Sequence, residues 1–146
     1  MTILVINGPN LNLLESRDPE HYGGNSLENI AELLKKKFPS INFIFEQFNN
    51  EDEIVNSIHK STNYDGLIIN PAAFTHYSIS IRDALEICKL PKVEVHLSNI
   101  TNREKFRNIN ITSSRCDGLI SGFKDYSYVL AVHYLIELLS TVKSSS

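Results

Sequence analysis

The sequence predicts an open, doubly wound α/β domain, with a flavodoxin-like five-stranded parallel sheet in the order 2-1-3-4-5. Three observations carry this prediction. Strand-like and helix-like segments alternate along the 146 residues. The runs Ile3-Leu4-Val5-Ile6 and Gly66-Leu67-Ile68-Ile69 are apolar without alternation, as strands covered on both faces are. Polar residues gather where strands end: Asn7 and Asn10 after the first, Asn70 and His76 after the third, and His96 closing the fourth. Sheets of this kind bind ligands beyond the carboxyl ends of their central strands.

The elements follow in order. Thr2–Asn7 is apolar and β-branched, and an irregular polar stretch runs from Gly8 to about Asn25. Ser26 is a helix cap for Leu27, Ile30, Leu34 and Phe38 at helical spacing, and Pro39 stops that helix. Ile41–Phe48 is a second strand, and Glu51–Ser61 a helix whose acidic first turn suits the helix dipole. The third strand, Gly66–Asn70, leads through a loop at Pro71–Tyr77 into a helix over Ser78–Cys88. Val93–Leu97 is the fourth strand. A short helix near Asn102–Asn108, a strand near Gly118–Ser121 and a helix from Tyr126 to about Val142 complete the pattern. No repeat or linker divides the chain, so residues 1–146 are expected to form one catalytic domain with a disordered tail from about residue 143.

Composition limits the function classes. Hydrophobic residues make up 42%, charged residues 21%, and the net charge is −3 without a long basic run, so nucleic-acid binding is not expected. Apolar runs are too short to span a bilayer. The N-terminus enters the first strand directly, without a basic segment or cleavage signature, which speaks against a signal peptide. Cys88 and Cys116 lack metal or redox spacing and read as thiols of a reducing compartment, so a cytoplasmic protein is expected. The glycine fingerprints of dinucleotide and phosphate loops are absent, and no His/Cys/Asp set has ligand spacing, so neither cofactor nor metal is expected.

Four segments carry possible chemistry. Glu94 and His96 lie two apart on a strand and share a face, where a carboxylate fixes an imidazole for proton transfer. A wet edge strand would show the same alternation. The long loop 8–23 holds Arg17 and Tyr22 and reads either as a lid or as exposed surface. Segment 97–107 offers Ser98 and the pair Arg103 and Arg107, spaced i, i+4 on one helical face, for an anion or for solvent. His76, just before a helix, reads equally as a site residue or a local cap. His21, His59 and His133 have no partners at catalytic spacing and read as structural.

Together these segments resemble the type II 3-dehydroquinate dehydratases over nearly the whole chain, from Leu4 to about Leu138. The specific pieces are INGPNLNLL at 6–14, SRDPEHYG at 16–23, NPAAFTH at 70–76, SIRDAL at 80–85, and EVHLSN with REKFR across 94–107. The resemblance implies conversion of 3-dehydroquinate to 3-dehydroshikimate by anti elimination through an enolate, without metal or organic cofactor. It assigns Tyr22 as the base, Arg17 with Arg103 as the groups that acidify its phenol, and Asn10 as the residue positioning a water on the enolate oxygen. It assigns His96, oriented by Glu94, as the general acid. Asn70, His76, Ser98 and Arg107 match substrate-binding positions, with the amides of Leu97 and Ser98 for the carboxylate. A phenol's reference pKa is about 10, so a tyrosine base near neutrality needs its anion favoured by roughly 4 kcal/mol. Two arginines in a site closed from water are of the right order for that.

The resemblance also implies trimers grouped into a dodecamer, with an acidic residue of a neighbouring copy supporting the site; Asp83 matches that position. The chain departs from the family pattern at Glu15 and Asp18, which flank Arg17, at Ala72 and Phe74 after Asn70, and at Lys124, where glycine is common. Two rivals on the same fold are a flavin- or phosphate-handling protein and a receiver domain. The first lacks its phosphate loop, and the second meets Asn7 and Asn70 where it needs acidic residues.

Overall fold

A computed structural model describes residues 1–145 of the chain. Strands β1 (Thr2–Asn7), β2 (Asn42–Gln47), β3 (Gly66–Asn70), β4 (Lys92–His96) and β5 (Gly118–Ser121) pair in parallel in the order β2-β1-β3-β4-β5, as predicted. The helices are α1 (Pro19–Tyr22), α2 (Leu27–Lys37), α3 (Glu51–His59), α4 (Ile79–Ile87) and α5 (Tyr126–Ser145).

Alternation along the strands explains both cores. Val5 lies opposite Ile68 and Leu4 opposite Leu67, so successive residues leave the sheet on opposite sides. Ile3, Val5, Ile68, Val93 and Val95 pack with Ile30 and Leu34 of α2 and with Val129, Val132 and Leu135 of α5. Leu4, Ile6, Leu67 and Ile69 pack with Ile54 and Ile58 of α3 and with Ile81 and Leu85 of α4. Each such buried aliphatic side chain contributes roughly 1.5–3 kcal/mol of transfer free energy. Covering both faces forces the sheet's polar chemistry to its carboxyl edge.

The helix starts are made locally. Ser26 Oγ accepts from the Asn29 amide at 3.1 Å, Asn50 Oδ1 from Glu53 at 2.9 Å, and Ser78 Oγ from Ile81 at 3.2 Å. Gly8 marks the exit of β1: its amide donates to the Asn70 carbonyl at 2.7 Å, and a Cβ there would sit 2.6 Å from the Pro71 oxygen. Only glycine lets the exits of β1 and β3 come this close.

Two stretches differ from expectation. The helix expected near Asn102–Asn108 is instead two 3-10 turns, Ile100–Asn102 and Lys105–Asn108, separated by Arg103 in extended backbone. Asn99 accepts the Thr101 amide and hydroxyl, a local bond that competes with helix formation, and the stretch has no apolar stripe to dock. Arg103 and Arg107 therefore share no helical face. The expected tail is helical as far as Ser145, and Ser146 lies outside the described residues. Among the described residues no helix is long and apolar enough to cross a membrane.

Candidate active site

A cleft of about 120 Å³ opens at the carboxyl ends of β1, β3 and β4. Asn10, Arg17, Tyr22, Asn70, His76, His96, Leu97, Ser98, Arg103 and Arg107 all line it. Of the residues predicted for the site, only Glu94 and Asp83 stand outside. Glu94 lies directly beneath His96, and Asp83 sits exposed on α4 with its carboxylate 2.6 Å from Arg82.

The Tyr22 side of the cleft comes from the long loop. Leu11 and Leu14 anchor a 3-10 segment, Leu11–Ser16, in the core, and Pro19 begins the single turn of α1 with Asp18 accepting the Glu20 amide. Gly23 ends that turn at φ 83°, in the left-handed region. Tyr22 is thereby turned inward. Its oxygen accepts from Arg17 Nη2 at 2.5 Å and from Arg103 Nη1 at 2.7 Å, and Arg103 also donates to Ser98 Oγ at 3.2 Å. The two guanidiniums come from positions 81 residues apart from the tyrosine in one case and five in the other. Partial burial lowers Arg17's pKa; Tyr22 works against that effect, and the charges of Arg103 and Arg107 add to it. The cleft is crowded with cations on this side, which favours an anionic ligand. Arg103 Nε is buried and has no hydrogen-bond partner among the described residues.

The His96 side belongs to the sheet. His96 Nε2 lies 2.7 Å from Glu94 Oε2; a carboxylate oxygen accepts, so Nε2 carries the hydrogen and Nδ1 is left for the cleft. Glu94 is fully buried, and burial pushes its carboxyl pKa up. The hydrogen bond and charge of His96, together with the Thr112 and Thr75 hydroxyls, outweigh burial and hold it below the usual carboxylate range. His76 is fixed likewise: its Nδ1 donates to the Ile109 carbonyl at 2.6 Å, which leaves Nε2 free of that bond.

The remaining polar residues are held from behind. Asn70 donates to the Tyr128 hydroxyl at 3.0 Å and accepts the Ala72 amide at 3.1 Å, while Tyr128 donates to Asn7. Burial pushes the Tyr128 phenol pKa well up, so it stays a neutral strut between two asparagines. Asn10, at φ 69°, gives its amide to Asn49 Oδ1 at 3.2 Å, and Gln47 Nε2 joins Asn49 at 3.0 Å and the Gly8 carbonyl at 3.1 Å. Thr112, Asn110, Tyr128, Gln47 and Asn49 escape sequence reasoning: Gln47 and Asn49 follow the edge strand β2, the other three lie in no strand-end cluster, and each meets a site partner distant in the chain. Among the described residues, no group of three or more His, Cys, Asp and Glu is placed to hold a metal ion.

The model of the family described as Dehydroquinase class II matches residues 1–136. The chain belongs to this family. Family membership makes it an enzyme, a hydro-lyase. A 3-dehydroquinate dehydratase of Thermotoga petrophila is 49% identical over 137 residues, covering 92% of this chain and 94% of that protein. One of Clostridium perfringens is 48% identical over 139 residues, covering 92% and 95%. The crystal structure of the type II dehydroquinase from Butyrivibrio crossotus superposes with a TM-score of 0.89 at 41% identity, covering 92% of this chain and 97% of that one.

Proposed function

We propose that this class II dehydroquinase removes water from 3-dehydroquinate to give 3-dehydroshikimate, by anti elimination through an enolate. One observation carries the reading: a phenol oxygen held by two guanidiniums and an imidazole backed by a buried carboxylate line the same cleft from different elements. Tyr22 takes the proton next to the ketone, and the electron pair moves onto the ketone oxygen as an enolate. Arg17 and Arg103 meet the negative charge on the Tyr22 oxygen before that transfer. Asn10 holds a water on the enolate oxygen. The enolate then collapses, the carbon–hydroxyl bond breaks, and His96 delivers a proton so that the group leaves as water. Glu94 balances the charge of the protonated imidazole. The Leu97 and Ser98 amides with Arg107 receive the carboxylate, and Asn70 and His76 the hydroxyls. Separate acid and base suit departure on opposite faces of the ring.

The test is direct. Metal-stripped protein is added to 3-dehydroquinate, with a borohydride-treated sample alongside, and the ultraviolet absorbance of the conjugated enone is followed. Equal rises in both samples are expected; no rise overturns the reading.

The reading extends to assembly and place. We infer trimers grouped into a dodecamer, with Asp83 serving a neighbour's site. Asp83 is absent from its own cleft, and close by in the chain Tyr77 and Ile79 expose apolar surface that a second copy would cover. Light scattering on the purified protein gives the mass that decides it. A cytoplasmic setting is supported by two free thiols, Cys88 and Cys116.

A further inference from the structure

The 108–114 stretch has no part in the reading above, yet it reaches the most deeply buried charge of the site. Glu94 Oε2 accepts from Thr75 Oγ1 at 2.6 Å and Asn110 Nδ2 at 3.0 Å besides His96, and its Oε1 accepts from Thr112 Oγ1. The two threonine hydroxyls lie 2.9 Å apart, and both residues are fully buried. The stretch is pinned in place: the Ile111 amide donates to the Thr75 carbonyl at 2.8 Å, and the Ser113 amide to Asn110 Oδ1 at 3.1 Å. Four donors thus hold the carboxylate, three on Oε2 and one on Oε1, and only one of them, His96, faces the cleft.

A carboxylate at this depth needs donors to stay ionised, and a carboxylate with one donor missing turns to find another. Thr112 is the sole donor to Oε1 among the hydrogen bonds seen. It therefore sets the rotation of the carboxylate, which sets the direction from which Oε2 meets the imidazole. We propose that Thr112, assisted by Thr75 and Asn110, is a positioning residue of the dehydration: it locks the Glu94 carboxylate in one orientation, so that His96 keeps one N–H, on Nε2, toward Glu94 and presents the second N–H of the protonated ring, on Nδ1, to the leaving hydroxyl. The role of His96 in this proposal rests on the function proposed above.

The test compares Thr112→Val, which keeps shape and loses the hydroxyl, with Thr112→Ser, which keeps the hydroxyl. Steady-state kinetics with 3-dehydroquinate is paired with ¹⁵N resonances of the His96 ring, which report the tautomer without any turnover. In Thr112→Val, kcat is expected to fall about tenfold, the scale of one lost bond to a charged group, with KM within about twofold. The ring resonances should move away from those of the wild type, in which Nε2–H is bonded to Glu94, and Thr112→Ser should restore both. Asn110→Ala, at a partly exposed position, should give a smaller change of the same kind and serves if the valine variant does not fold. Unchanged kcat and unchanged ring resonances in the valine variant overturn the proposal. So does a joint fall in kcat, KM and thermal stability that serine fails to rescue, because that marks Thr112 as packing alone. If the wild-type protein does not dehydrate 3-dehydroquinate, the functional reading fails, while the ring resonances still decide whether Thr112 orients the pair.

Discussion

Tyr22 sits on one helical turn between a 3-10 segment and two glycines in the left-handed region, whereas His96 ends a central strand with β3 and β5 on either side. The phenol is held by two long arginine side chains, one from its own loop and one from the irregular stretch after β4. The imidazole is held by a carboxylate with no freedom, which in turn is held by two buried threonines and an asparagine. One end of the cleft is carried by a loop; the other is built into the sheet. Loops open at far lower cost than central strands, because little buried apolar surface and few protected backbone bonds are lost. On the function proposed above, timing and water exclusion belong to the Tyr22 end, and the His96 end stands ready beforehand.

The largest effects would come from removing either end. Tyr22→Phe is expected to lower kcat by roughly 10²–10⁴-fold with substrate binding retained, and near-normal turnover breaks the comparison at its first point. His96→Ala should lose dehydration on a similar scale yet still exchange the proton beside the ketone in deuterated water, since the Tyr22 end remains whole. Next come the two arginines. Arg17→Gln and Arg103→Gln should each cost about 10–100-fold in kcat/KM, the scale of one charge-assisted bond. Equal losses mean that the phenol needs both donors together; a loss confined to Arg17 means that loop closure alone sets the rate.

Acid stability sharpens the contrast from the other end. The Glu94 carboxyl is held below its ordinary value of 4.5, so its ionised form contributes stability that is fully present above that pH. This contribution drains away as the pH falls through the lower value of the folded carboxyl. Urea unfolding at about pH 7 and about pH 3 should show that acid loss in the wild type and a smaller one in Glu94→Gln. The smallest effect is expected at Lys124. Lys124 holds φ 55°, and its stem packs against Gly23, where a Cβ would lie 3.2 Å from Lys124 Cδ. Lys124→Gly relieves the left-handed backbone by up to about 1 kcal/mol while removing a support of the loop. Thermal unfolding should move slightly upward, and kcat/KM should drop a few-fold at most.

Much of the site was legible because its residues cluster beside elements with short-range signatures. β1 to β4 announce themselves by apolar runs, and Ser26 and Ser78 as caps, so Asn10, Asn70, His76 and His96 fall at one sheet edge by topology alone. The Glu94–His96 pair follows from the two-residue period of a strand. Arg103 and Arg107 were placed on a helix that does not form: Asn99, three residues ahead of it, accepts the Thr101 amide and hydroxyl, and the stretch breaks into two 3-10 turns.

What the sequence determined by itself is everything governed by neighbours a few residues apart: strand and helix order, caps, the long loop, and the residue types offered at the strand ends. The tertiary structure alone decided which groups touch across the chain. Arg103 joins Tyr22 across 81 residues, and Tyr128 reaches Asn7 across 121. Thr112 closes on Glu94 from a stretch with no periodicity, and Asp83 turns away from its own cleft. The physical reason is range. Backbone propensity and hydrophobic period act within a turn or a strand, while a hydrogen bond between side chains exists only once packing of both sheet faces has brought their backbones within a few ångströms.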